Sequence, residues 1–142
     1  MIILILQWLA ILFFTALIHE CGHALACRYF GIPVLEIMLW SGSQRYRLQL
    51  GRFAIGWFPY GGYVATPFVK EDAVDFAITF CGPAANFIIG TGVFFSSGMI
   101  KVFFLFNVLM AINAMLPISN KKDGYRLLLI LKKWYSSRMH CK

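Results

Sequence analysis

MIILILQWLAILFFTALI, residues Met1 to Ile18, runs without a single charge into His19-Glu20-Cys21-Gly22-His23, and that junction decides the fold. Gln7 and Thr15 are the only polar interruptions. An apolar helix of this length, continued to about residue 27, spans the roughly 30 Å hydrocarbon core of a bilayer. A cleaved leader would carry a basic start and a small-residue cleavage site. Neither is present, and removal would destroy the segment that follows, so the helix is expected to be retained.

The rest of the chain agrees with a membrane as its solvent. Hydrophobic residues make up 60% and charged residues 13% of 142 residues, too apolar for a soluble domain of this size. Two further spans are expected at about 73–95 and 102–117, which excludes a secreted soluble enzyme. Between the first two spans, about 34–65, the stretches Glu36 to Trp40, Arg45 to Leu50 and Phe53 to Phe58 are β-branched, aromatic and alternating, punctuated by Ser41-Gly42 and Gly51. They predict short antiparallel strands at the membrane interface, where Trp40, Trp57, Phe58, Tyr60 and Tyr63 suit a half-wet environment. A helix of about 124–135, mixing Leu and Ile with Arg126, Lys132 and Lys133, is expected on the cytoplasmic face. The expected fold is thus an all-α integral membrane protein, a single domain over 1–142 with three transmembrane helices and a small interfacial β-rich segment.

The charge is positive, and it reads as topology. Of 13 Lys and Arg, five lie between the first two spans, seven follow the third, and Lys101 alone lies on the other side. Cationic residues in short loops accumulate in the cytoplasm, which puts the N-terminus outside and the C-terminus inside. No basic soluble face is available for nucleic acid. The four cysteines have no paired spacing and are expected to be reduced.

His19-Glu20-Cys21-Gly22-His23 places two imidazoles four residues apart on one helical face, where they can grip one metal ion. Glu20 is then beside the ion and not on it, the position of a base that moves a proton between water and a leaving amide. Ionisable groups at the end of an apolar helix are costly unless they have a function. A catalytic zinc site takes three protein ligands. His140, in a basic tail, is expected to be solvated. Asp123 is the acid that follows a span ending on the same side as His19 and His23, with Gly124 directly after it, so it is the expected third ligand of one zinc ion per chain. Gly82-Pro83 reads as a kink that lets helices approach and Asn86 as a buried amide. Gly61-Gly62 reads either as a turn or as part of a strand edge to which an extended substrate could add.

His19-Glu20-Cys21-Gly22-His23, Pro59-Tyr60-Gly61-Gly62-Tyr63-Val64, Cys81-Gly82-Pro83-Ala84-Ala85-Asn86 and Asn113 through Asp123-Gly124, in that order, resemble the site-2 protease family of intramembrane metalloproteases. The resemblance implies a three-helix core, with HExxH in the first helix, a Gly-Pro-x-x-Asn motif in the second and an Asp-Gly motif supplying the third ligand in the third. It further implies that Asn86 handles the substrate or its oxyanion, and that Gly61, Gly62, Tyr63 and Asn113 contact substrate. The expected activity is cleavage of a peptide bond in or beside a transmembrane segment of a single-span protein or hydrophobic peptide. Two departures stand out: Asn113 is four residues before Pro117, and Tyr125 stands where the family has a second Gly. The competing reading is a non-proteolytic membrane adaptor or transport-accessory subunit with a structural metal; the intact Glu20 and the want of a fourth ligand argue against it.

Overall fold

The computed structural model describes residues 1–41, 47–120 and 122–139. Gly42, the start of the Arg45 to Leu50 stretch, Lys121, His140 and Cys141 lie outside them, so the expectations for those positions have no structural counterpart here.

Helix α1 (Ile2–Tyr29) carries the apolar N-terminus and HExxH without a break. It ends two residues beyond the expected residue 27. Gly31 takes a left-handed φ of 69°, the Ile32 amide donates to the Cys27 carbonyl and the Gly31 amide to that of Arg28, and Pro33 follows. This is the double hydrogen bond by which a C-terminal glycine closes a helix. Helix α2 (Asp72–Gly90) begins with Asp72 and Asp75 in its first turn, anions that the N-terminal dipole favours. It continues as a 3-10 turn, Thr91–Phe95.

Helix α3 (Gly98–Met115) starts and ends earlier than the expected 102–117. At the far end the cause is Pro117, which disfavours helical backbone at Leu116; Leu116 is extended, with ψ 121°. Helix α4 (Asp123–Met139) is longer than expected and includes Asp123 in its first turn. The three helices α1, α2 with its 3-10 turn, and α3 are long and apolar enough to cross a membrane.

The β segment forms one sheet of β1 (Glu36–Ser41), β2 (Leu48–Leu50), β3 (Phe53–Ile55) and β4 (Phe58–Ala65), in the order β2-β3-β1-β4. β2 and β3 are a hairpin closed by Gly51, φ 62°, and Arg52. The expectation of purely antiparallel pairing is corrected here. β1 pairs antiparallel with β4 but parallel with β3, because β2 comes between β1 and β3 in the chain and the β2–β3 hairpin turns β3 back into the direction of β1.

Helix α2 is central, packing on α1, α3 and α4, while β1 and β4 pack on α1. The interior is inverted relative to a soluble protein. Thr15, His19, Glu20, His23, Asn86 and Asn107 are buried, whereas Ile2, Ile3, Leu4, Ile5 and Leu6 are exposed. An apolar cluster of Ala26, Cys27, Val69 and Ile78 closes the bundle beneath the polar residues.

Candidate active site

Thr15, His19, Gly22, His23 and Ala26 recur at helical spacing on the face of α1 that is buried. Close approach to α2 depends on two glycines. A Cβ on Gly22 would meet the Cys81 carbonyl at 2.5 Å, and one on Gly82 would overlap the His23 ring. The Gly82-Pro83 pair therefore makes room for an imidazole, beyond any kink Pro83 introduces.

Asp123 arrives from α4. Gly124 lets this helix start against the Met115 carbonyl, where any Cβ would clash. Arg126 pairs with Asp75 at 2.6 Å and Lys133 with Asp72 at 2.7 Å. Both cations are largely exposed, so these pairs contribute little. Buried Leu127 and Ile130, with Trp134 against the Phe76 ring at 5.5 Å, do more to hold α4 in place.

The three side chains converge. His19 Nε2 lies 3.0 Å from Asp123 Oδ2, His23 Nε2 lies 3.5 Å from the same oxygen, and the two Nε2 atoms are 3.2 Å apart. Among the described residues, this is the cluster of three groups able to hold a metal. The fit to zinc can be tested on its geometry. Ligand bonds of about 2.0–2.1 Å in a tetrahedral site put donor atoms roughly 3.3 Å apart, and the three separations bracket that value.

Proton placement supports the same reading. His23 Nδ1 is 2.8 Å from the Ile78 carbonyl, which can only accept, so Nδ1 carries the proton and Nε2 presents a lone pair. His19 Nδ1 is 3.0 Å from Asn86 Oδ1. The Asn86 Nδ2 donates to the Thr15 carbonyl at 3.1 Å and to Asn107 Oδ1 at 3.0 Å, which fixes Oδ1 as the atom facing His19. Both Nε2 lone pairs then face an anionic oxygen, an arrangement that calls for a cation.

Glu20 is buried, and its Oε2 has no hydrogen-bond partner among the described residues. Oε1 faces β4, where a Cβ on Gly62 would come within 2.5 Å of it and 2.8 Å of the Met38 carbonyl. Gly62 is thus a contact of the acid as well as a strand residue. A buried carboxylate oxygen left free beside a metal-ligand set is available to take a proton.

Other expected site residues are placed differently. Asn113 does not join the cluster; its side chain is exposed and its Oδ1 accepts from Lys122 Nζ at 2.7 Å, with its backbone carbonyl accepting from the same amine at 3.1 Å. It ties down the long link to α4. Asn86 is fully buried, with its amide hydrogen-bonded to His19, Thr15 and Asn107. Tyr63 donates to Glu36 at 2.9 Å, and burial together with that carboxylate raises its hydroxyl above the usual range. Gly61, φ 70°, bends β4 beside Gly62.

Sequence reasoning missed Asn107 and the role of Thr15. Asn107 was findable as a buried amide in the apolar run Val102 to Met115, a costly placement that marks function or a hydrogen-bonded partner. The Ile78 carbonyl was not, since backbone partners leave no trace in residue identity.

A search of curated proteins returned no match. The model of Peptidase family M50 matches residues 7–136, a range that takes in the sheet, α2 and α3 and most of α1 and α4. That coverage, with HExxH and the distant Asp123 gathered at one point, places this chain in peptidase family M50, the site-2 protease family of zinc metalloproteases.

Proposed function

We propose that the chain is a zinc-dependent intramembrane endopeptidase that hydrolyses a peptide bond in or next to a transmembrane segment of another protein. The observation that carries this reading is the convergence of His19, His23 and Asp123 beside a buried Glu20 with a free Oε2, at the end of a helix apolar enough to cross a bilayer.

His19 Nε2, His23 Nε2 and an Asp123 oxygen would hold the ion, one per chain. When bound, zinc supplies a Lewis acid that polarises the scissile carbonyl and acidifies water. Glu20 takes the proton of the attacking water on Oε2 and returns it to the departing nitrogen. Asn86 and the Ile78 carbonyl hold the two imidazoles in the tautomer that keeps Nε2 free. Strand β4 is at the edge of its sheet and carries Gly62 against Glu20. A substrate segment that unwinds and adds to this edge would lie extended alongside the acid, as hydrolysis requires, because a helix hides its peptide bonds.

Lys101 falls outside the membrane in this reading, and the HExxH end of α1, the sheet and α4 lie toward the cytoplasm. The bilayer covers the exposed apolar faces of α1, α2 and α3. Incubating reconstituted protein with a panel of single-span peptides, with and without chelator, tests the proposal: chelator-sensitive cleavage supports it, and cleavage unaffected by metal removal opposes it.

A further inference from the structure

We propose that Asn107, on the third helix and out of reach of the metal ligands, is a positioning residue that fixes the tautomer of His19 through Asn86. The inference rests on the metal-site reading above and adds a component to it.

The two imidazoles are oriented by different means. His23 is held by a backbone carbonyl, that of Ile78, which no side-chain substitution on α2 deletes. His19 is held by a side-chain amide, and an amide can flip. What stops Asn86 from flipping is its surroundings. Asn107 Nδ2 lies 2.9 Å from the Phe103 carbonyl, an obligate acceptor, and 3.4 Å from Thr15 Oγ1. The Asn107 nitrogen must therefore face those groups, and its Oδ1 must face Asn86. That oxygen and the Thr15 carbonyl together demand a donor, so Asn86 turns Nδ2 to them and Oδ1 to His19. His19 Nδ1 then has to donate, which leaves Nε2, 3.0 Å from Asp123 Oδ2, as the nitrogen free to bind an ion held with that carboxylate. The orientation passes from the Phe103 carbonyl through two amides to one nitrogen, and each step is forced by an acceptor that has no proton to give.

Asn86 and Asn107 are both fully buried, so no water substitutes for a missing partner without a cavity to hold it. Replacing Asn107 by Leu keeps the branching and number of side-chain heavy atoms but removes the oxygen that selects the Asn86 orientation. With only the Thr15 carbonyl left, one of the two acceptors that select the Asn86 orientation is lost, and the preference of His19 for a proton on Nδ1 weakens. Outer partners of metal-bound histidines characteristically change metal affinity by about 10–100-fold.

The test measures zinc affinity by chelator competition and reads the His19 ring nitrogens by 15N NMR in metal-free protein under mildly alkaline conditions. Asn107→Leu is expected to bind zinc about tenfold more weakly and to raise the Nε2-protonated fraction of His19 above that of wild type, while His23 keeps its Nδ1 proton. Asn107→Asp, which retains an acceptor toward Asn86, is expected to restore the His19 tautomer. In an Asn86→Ala background, Asn107→Leu should add no further loss of zinc affinity, because both act along one path. A folded Asn107→Leu protein, recognised by an unchanged His23 signal, with wild-type zinc affinity and an unchanged His19 signal overturns the proposal. So does full additivity with Asn86→Ala. If Asn107→Leu does not fold, Asn107→Asp decides alone: loss of the His19 tautomer there contradicts the proposed role. The tautomer is read without metal, so wild-type protein that binds no zinc counts against the metal site and not against this path.

Discussion

Asp123 Oδ2 stands 3.0 Å from His19 Nε2 across 104 residues of sequence. Asp123 rides on α4, a helix outside the three-helix bundle, so the completeness of the metal centre depends on how α4 docks. Asp123→Ala is expected to abolish cleavage and most zinc retention, and Asp123→Glu to keep zinc but lower the cleavage rate about 100-fold, because one added methylene displaces the carboxylate by about 1 Å. Zinc analysis of purified protein and single-turnover cleavage separate the two effects.

The docking itself gives a second prediction. Lys133 is 68% exposed in its side chain, so Lys133→Ala should leave zinc affinity within about twofold of wild type. Trp134→Ala removes the packing on Phe76 and should weaken zinc binding about fivefold or more. Chelator competition on both proteins checks the ranking.

Gly62 offers a way to disturb Glu20 without touching a ligand. Gly62→Ala puts a methyl group against Glu20 Oε1 and the Met38 carbonyl. The expected result is full zinc content with cleavage reduced by about 100-fold. Equal zinc and unchanged cleavage would mean that β4 yields and that the acid is not held by this contact.

Orientation is tested at Lys101. In the proposed topology twelve of the 13 basic residues of the sequence fall on the side opposite to it, so a cysteine introduced there should react with an impermeant reagent from the external face only, and one introduced at Lys133 only after the cytoplasmic face is opened. Labelling of position 101 from the cytoplasm would invert the topology.

Much of this was legible in the residues. The apolar run before His19 and the four-residue spacing to His23 follow from local rules, and both are in the structure. Asp123 was reachable by elimination because acids are scarce. Strand pairing was less legible: nothing local in Glu36 to Ile55 says that β1 will insert between β3 and β4. The polar knot of Thr15, Asn86 and Asn107 was not assembled from sequence, since it needs three helices in register, and Asn113, the amide the family pattern favoured, was drawn instead to Lys122. Gly62 could be marked as special, but that its partner is Glu20 is a fact of tertiary packing.

The central claim, that Glu20 moves protons beside a metal held by other residues, is tested most directly by measuring zinc content and peptide cleavage on one preparation of Glu20→Gln, with His23→Ala as the comparison. The account predicts about one zinc per chain and no cleavage for Glu20→Gln, against loss of both for His23→Ala. Wild-type cleavage by Glu20→Gln, or loss of zinc in parallel with His23→Ala, would contradict it.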